Sequence, residues 1–218
     1  MEGTRTILYI HGMGGGADSR IPSILSECLP PSVKVVVRTY DFDPEIAREQ
    51  ISSWIKELKP VVLAGESLGA NHALEMHFRY CLPAVFVSPA LNAPAVLHAL
   101  APLTLLPGAG ALLGRIYKPR PGERQVLTFR YSLLRKWSKV PVPFDPQSKD
   151  EGVFAFFGTR DHYRRSGIVS LRQWRKRFGD GTYALYEGSH FMEETYVRTL
   201  LADRLRGLAE GSCEKSDK

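Results

Sequence analysis

Six apolar runs punctuate the chain: Thr4 to Ile10, Val33 to Val37, Pro60 to Ala64, Ala84 to Ser88, Val153 to Phe157 and Thr182 to Tyr186. Each is short, rich in β-branched or aromatic residues and bounded by turn-forming residues, which predicts strands. Between them apolar positions recur at three-four spacing, as in a helix with one buried face. The stripes are Ile21, Ile24, Leu25 and Leu29; then Ile46, Gln50, Ile51, Trp54, Ile55 and Leu58; then Ala70, Ala73, Leu74, Phe78 and Cys81. Two more follow, one in an expected helix from Arg164 to Phe178 with Leu171, Trp174 and Phe178 inward, and one through Val197, Leu200, Leu201, Leu205 and Leu208. Asp18 or Ser19 is placed to cap the first helix, and Asp43-Pro44 to start the second. Strand alternating with helix predicts the α/β class: a three-layer sandwich of about six mainly parallel strands with helices on both faces. The β-branched, mostly apolar Val33 to Val37 run reads as a strand covered on both faces.

One stretch breaks this rhythm. From Ala90 to Ser148 there are prolines at 94, 102, 107, 119, 121, 141, 143 and 146 and a glycine cluster at 108, 110 and 114. A structureless loop of that length is improbable inside a compact domain, so short helices folded over the sheet edge are expected. The domain plan is then one unit over 1–210, a lid-like insertion at about 90–148, and a disordered tail over 211–218 that has too little apolar content to pack. Ala99 to Leu113 is apolar but interrupted by Pro102 and Pro107, and it is shorter than the ~20 residues of a membrane span. Leu103, Leu105, Leu106, Leu112 and Leu113 are therefore expected to wall an apolar substrate pocket. Leu133, Leu134 and Trp137 form a second amphipathic piece, with Arg135, Lys136 and Lys139 outward.

With 218 residues, 44% of them hydrophobic and 24% charged, the composition is that of an ordinary globular chain. The formal charge of +6 changes little, because much of the excess lies at Arg160, Arg164 and Arg165 and from Arg172 to Arg177, where solvated helix faces explain it. No recognition motif accompanies the charge, so nucleic acid is not an expected partner. Cys28, Cys81 and Cys213 have neither disulfide nor zinc spacing, and no metal or cofactor is expected. No leader with an apolar core precedes the first strand, which gives a cytoplasmic expectation. Nothing in the residues sets an oligomeric state.

The candidate chemistry sits just past strand ends, where parallel sheets place their ligands. Gly65-Glu66-Ser67-Leu68-Gly69 links a strand to a helix, so Ser67 stands on a sharp turn with its hydroxyl exposed, and small residues two places to either side let the backbones approach. His11-Gly12-Met13-Gly14-Gly15-Gly16 lacks the spacing of a phosphate loop and reads as an oxyanion loop, with backbone donors at Met13 and Leu68. Gly158-Thr159-Arg160-Asp161 and Glu187-Gly188-Ser189-His190 supply an acid and a histidine, in the chain order Ser, Asp, His. Asp161 follows its strand, whereas Asp145 and Asp150 precede it and belong to the opposite sheet edge. His72 and His77 lie on the helix leading away from Ser67 and read as structural or solvated. His162 competes with His190 as base but would leave the Gly188-Ser189-His190 loop unexplained. Tyr40-Asp41-Phe42-Asp43 also ends a strand, and a turn with a helix cap accounts for it equally well.

On these four segments, and from about Ile7 to Leu208, the chain resembles serine hydrolases of the α/β-hydrolase superfamily, in particular small bacterial carboxylesterases and thioesterases. His11-Gly12-Met13-Gly14 resembles that family's oxyanion segment, Gly65 to Gly69 its nucleophile elbow, Gly158 to Asp161 its acid loop and Gly188 to His190 its histidine loop. The family's sheet usually has eight strands, and this chain starts at the strand before the oxyanion loop, so it looks trimmed to six. The resemblance implies hydrolysis of a small-molecule ester or thioester of short to medium acyl length through Ser67, His190 and Asp161. Two alternatives stay open: acyl transfer by the same serine, and a non-catalytic small-molecule-binding member of the fold.

Overall fold

The computed structural model describes residues 4–140 and 152–211. The first half runs β1 (Arg5–Ile10), α1 (Arg20–Cys28), β2 (Val33–Val37), α2 (Pro44–Leu58), β3 (Val62–Glu66), α3 (Gly69–Tyr80) and β4 (Ala84–Val87). The irregular stretch then folds as α4 (Ala93–Ala99), a 3₁₀ turn (Ala101–Leu105), α5 (Ala109–Ile116), α6 (Tyr131–Lys136) and a second 3₁₀ turn (Trp137–Lys139). After β5 (Val153–Gly158) come a 3₁₀ turn (His162–Arg164), α7 (Leu171–Phe178) and β6 (Tyr183–Tyr186). The chain ends in α8 (Glu194–Tyr196), a π-helical stretch (Val197–Leu201) and α9 (Ala202–Gly211).

The sheet order is β2-β1-β3-β4-β5-β6, and every neighbouring pair is parallel. The chain steps outward from β1 to β2, then returns to place β3 on the other side of β1. That reversal opens a crevice at the carboxyl ends of β1 and β3, the position at which doubly wound sheets bind ligands.

Strand alternation builds the two faces. Leu8, Ile10, Leu63, Phe86, Ala155 and Phe157 point to the side covered by α2, α3 and α7, where they pack with Ile51, Leu74 and Trp174. Ile7, Tyr9, Val62, Ala64, Val85 and Val87 point to the opposite side and meet Leu25 of α1 and Leu201 and Leu205 of the C-terminal helix. A third cluster covers the carboxyl edge of the sheet. There Phe42 and Leu68 pack against Leu97, Phe129, Leu134 and Trp137, so the 90–140 segment is anchored by its own apolar residues beside the crevice.

Several local expectations change. Among the described residues β2 is the edge strand of the sheet, and its Val35, Val36 and Val37 are only half buried. On α2 the buried stripe runs through Ala47, Ile51 and Ile55, while Ile46 is 43% exposed. Cys81 is an exposed, left-handed cap at the end of α3 and leaves the packing to Ala70, Ala73 and Leu74. The helix expected from Arg164 begins only at Leu171, where the Ser170 hydroxyl accepts from the Gln173 N–H; Gly167 at φ +74° breaks the path before it. Asp145, Asp150 and the 212–218 tail lie outside the described residues. Among the described residues no helix is long and apolar enough to cross a membrane, and no three His, Cys, Asp or Glu side chains gather as a metal site.

Candidate active site

Ser67 occupies the turn between β3 and α3 with φ +50°, a left-handed conformation that non-glycine residues rarely adopt. Such a conformation costs on the order of 1 to 3 kcal/mol and persists only when its surroundings hold it. Here the Ser67 N–H donates to the Val87 carbonyl at 3.0 Å, and the Ser67 carbonyl accepts from the N–H groups of Ala70 and Ala90 at 3.2 and 3.0 Å. The flanking glycines are dictated by space. A Cβ on Gly65 would lie 2.8 Å from the Ala73 Cβ, and one on Gly69 would lie 2.1 Å from the His11 carbonyl oxygen. Both approaches are needed to bring α3 and the loop after β1 against the turn.

His190 comes to Ser67 from the loop after β6. Its Nε2 is 2.9 Å from Ser67 Oγ and its Nδ1 is 2.8 Å from Asp161 Oδ2. In the neutral imidazole this pairing fixes the tautomer: Nδ1–H donates to the carboxylate and Nε2 is free to accept from the hydroxyl. The other Asp161 oxygen accepts from the Tyr163 N–H at 2.8 Å. Burial alone would raise the Asp161 pKa, but the hydrogen bond and charge of His190, with the Tyr163 N–H, outweigh it and hold the carboxyl below its ordinary value. Asp161 and His190 are 3% and 2% exposed, so water does not compete for their contact.

The acid and histidine loops brace one another. The Arg160 N–H donates to the Gly188 carbonyl at 2.8 Å, the Arg160 guanidinium to the Glu187 carbonyl at 2.9 Å, and the Ser189 N–H to Glu193 Oε1 at 3.1 Å. The Tyr163 ring meets the His190 ring edge to face at 4.6 Å. His162 lies beside this assembly, its ring centre 6.1 Å from that of His190, and the histidine nitrogen bonded to Ser67 belongs to His190.

The loop after β1 folds over the same turn. Gly12, Met13, Gly14 and Gly15 line the cavity that contains Ser67, and neither the Met13 N–H nor the Leu68 N–H donates in a backbone hydrogen bond among the described residues. Two backbone donors are thus left at the mouth of the elbow. His11 anchors the loop from below: its Nδ1 is 2.8 Å from the Gly12 carbonyl, its ring stacks on Tyr40 at 4.2 Å, and its carbonyl accepts from the Tyr40 hydroxyl at 2.6 Å. Burial pushes its pKa down to about 4, so at neutral pH the ring carries no charge. His72, under the same floor, is likewise neutral, its pKa lowered by burial to about 3.

Sequence reasoning missed Gln125 altogether. Its Oε1 accepts from the Gly14 N–H at 3.1 Å and its Nε2 donates to the Tyr40 carbonyl at 3.3 Å, while its own N–H donates to the Gly15 carbonyl at 2.7 Å. Only 1% exposed, it ties the proline-rich segment to the oxyanion loop. No local pattern marks a glutamine that acts across 111 positions. Gln125→Ala is expected to destabilise the protein by about 1 to 3 kcal/mol, because it leaves the Gly14 N–H and the Tyr40 carbonyl without their partner, and to lower kcat on a test ester roughly tenfold or more through loop misplacement. Denaturant titration alongside steady-state kinetics checks both halves.

The cavity has a volume of about 580 Å³ and reaches from Ser67 and His190 to the 90–140 segment. Its apolar wall is Val96, Leu97, Leu100, Phe129, Ile168 and Phe191. The five leucines expected there are elsewhere. Leu103, Leu105, Leu106 and Leu112 are 50 to 66% exposed, and Leu113 packs in the cluster with Phe42 and Leu68. The reason is rotational: the 3₁₀ turn and α5 leave Leu103, Leu105, Leu106 and Leu112 outward and turn Leu113 into the cluster, and α4 supplies the wall.

Neither a protein-family model nor a curated protein matches the chain. Solved structures do. The chain is similar to alpha/beta hydrolase domain-containing protein 10 from mouse at a TM-score of 0.63 and 15% identity, covering 97% of this chain and 92% of that one. It is similar to Est1E from Butyrivibrio proteoclasticus, solved with ferulic acid bound, at 0.56 and 16%, covering 100% and 92%. It is also similar to a monoacylglycerol lipase from Paleococcus ferrophilus at 0.54 and 17%, covering 98% and 97%. These matches establish an α/β-hydrolase fold, here with a six-stranded sheet.

Proposed function

We propose that the protein is a serine hydrolase that cleaves carboxylic esters or thioesters of short to medium acyl chains through an acyl-enzyme. The single observation that carries this reading is the continuous hydrogen-bond chain from Ser67 Oγ through His190 to Asp161, at 2.9 and 2.8 Å, opening into an apolar cavity. A serine hydroxyl is a weak nucleophile near neutral pH, and His190 Nε2 is placed to take its proton as Ser67 attacks the carbonyl. The oxyanion that forms is received by the N–H groups of Met13 and Leu68, donors of a kind worth roughly 3 to 4 kcal/mol each in the transition state. His190 then returns the proton to the departing alcohol or thiol, and water repeats the cycle on the acyl-serine. Asp161 holds the tautomer and stabilises the imidazolium. No metal has a step in this scheme. The aliphatic and aromatic wall from α4, Phe129, Ile168 and Phe191 supports an apolar acyl chain.

The test is labelling with a serine-directed fluorophosphonate, with the adduct located by peptide mass mapping. A single adduct on Ser67 and turnover of a 4-nitrophenyl acyl series, both lost in Ser67→Ala, is the expected result. Folded protein that neither labels nor turns over any ester would refute the reading.

A further inference from the structure

The cavity wall is apolar near α4, but its other side is cationic. Arg20, Arg120 and Arg124 all line it, and the one carboxylate among the lining residues is Glu66. Glu66 accepts from the Tyr9 hydroxyl at 2.9 Å, and burial raises its pKa while Tyr9, His190 and Arg20 pull it back, so a single carboxylate stands among three guanidinium groups in the lining. The surrounding sequence is equally one-sided, since no Asp or Glu occurs between Glu75 and Glu123.

The three arginines reach the cavity by different routes. Arg124 is fixed by backbone: it forms an antiparallel bridge with Gly16, and the flanking Gln125 N–H donates to the Gly15 carbonyl. Its side chain therefore stands beside the oxyanion loop, with Nε buried, 3.2 Å from Asp18 Oδ1 and without hydrogen-bond geometry to it. Arg20 opens α1, where a cation opposes the helix dipole and no acid shares the first turn. Local helix energetics do not favour it there, and its guanidinium is held by the Met192 carbonyl two residues beyond His190. Arg120 is exposed and makes no ion pair or hydrogen bond among the described residues. Arg120 thus keeps all its donors for a ligand, Arg124 keeps Nε without a hydrogen bond beside its ion pair with Asp18, and Arg20 holds the Met192 carbonyl while its charge acts on Glu66.

We propose that this arginine side is an anion subsite, and that the preferred substrate is an ester or thioester bearing a carboxylate or phosphate away from the scissile bond. The proposal rests on Ser67 being the nucleophile and adds the charge of what it cleaves. A guanidinium presents paired N–H donors that match a carboxylate or phosphate, and in a partly desolvated cleft such contacts are stronger than in water.

Matched ester pairs test it. Mono(4-nitrophenyl) succinate against 4-nitrophenyl butyrate places the anion on the acyl side, and 4-(butyryloxy)phenylacetate against 4-ethylphenyl butyrate places it on the leaving group. At least one pair is expected to favour the anion by tenfold or more in kcat/KM, with the preference shrinking as salt is raised. Arg120→Glu should reverse that preference, Arg120→Lys should retain part of it, and Arg124→Ala should reduce it. Because Arg120 is exposed and has no ion pair or hydrogen bond among the described residues, its variants are expected to fold even if Arg124→Ala does not. A neutral ester cleaved as well as its anionic partner in both pairs, or a preference unchanged in Arg120→Glu, overturns the proposal and leaves the hydrolase reading intact. A readout without turnover separates the two: calorimetric titration of monoethyl succinate into Ser67→Ala should show binding that Arg120→Glu abolishes. Binding that is absent, or indifferent to Arg120, overturns the subsite whether or not the wild type labels at Ser67.

Discussion

Asp161→Asn is expected to leave the fold and the fluorophosphonate site intact while cutting kcat by up to about 10⁴-fold. The substitution keeps size and shape, and one side-chain oxygen can still accept from the Tyr163 N–H as Asp161 Oδ1 does at 2.8 Å. What changes is the partner of His190 Nδ1. The carboxylate only accepts there, so the ring must carry its proton on Nδ1 and leave Nε2 bare toward Ser67 at 2.9 Å. An amide nitrogen donates, turns the ring to the other tautomer and puts a proton on Nε2, where it faces the serine hydroxyl with nothing to accept. The imidazolium also loses its counter-charge in a site where both residues are almost fully buried. Stopped assays on a 4-nitrophenyl ester, with circular dichroism as the control for folding, give the number. Turnover within about tenfold of wild type in a folded Asp161→Asn protein would exclude this carboxylate from the mechanism.

The position of Asp161 was legible because it depends on topology alone. In a parallel sheet every strand's carboxyl end faces the same edge, so a residue just past such a strand is delivered to the crevice regardless of distant packing. The same logic placed Ser67, His190 and Met13. The strands were equally legible, since a run such as Ala84 to Val87, buried on both faces, must be apolar throughout.

What sequence did not yield was set by contacts between remote segments. The cavity wall draws on α4, Phe129, Ile168 and Phe191, and the 3₁₀ turn and α5 turn Ala101 and Leu113 inward because those two join the remote Leu134 and Trp137 in one cluster. An apolar run broken by Pro102 and Pro107 carries no record of which side of it faces inward, and Leu103, Leu105, Leu106 and Leu112 are exposed. α7 starts later than its composition implies for a local reason. Tyr163 to Ser170 continues the basic, helix-compatible composition, but Gly167 in a left-handed conformation and the cap at Ser170 decide the boundary. Gln125 carried no signal of any kind, although it holds the oxyanion loop as directly as any residue near it.

The floor beneath that loop sets a limit on the protein at acid pH. His11 and His72 are both fully buried, each within ring contact of Tyr40, and burial is the leading cause that lowers their pKa values to about 4 and about 3. His11 already spends Nδ1–H on the Gly12 carbonyl, and His11 Nε2 and both ring nitrogens of His72 have no hydrogen-bond partner among the described residues, so the proton an imidazolium adds at either site meets no acceptor. Above about pH 6.5, the ordinary histidine value, both rings are neutral folded and unfolded, and they contribute nothing to pH dependence. As pH falls below that point the unfolded chain takes up protons that the folded state refuses. Stability is lost over the window from about 6.5 down to the folded values, at about 1.4 kcal/mol per pH unit for each histidine and close to 3 for the pair. Two units into the window the loss approaches 5 kcal/mol, comparable with the whole stability of a typical domain. Urea titrations at pH 7.5, 6.5, 5.5 and 4.5 should therefore show a flat upper range and a steep fall beneath it. His72→Phe fills the same space between Tyr40 and Trp137 without a titrating group and should remove about half of the slope, leaving the variant more stable than wild type at pH 5. Equal slopes in the two proteins would mean that His72 takes its proton in the folded state, and that the buried floor is wetter than its packing implies.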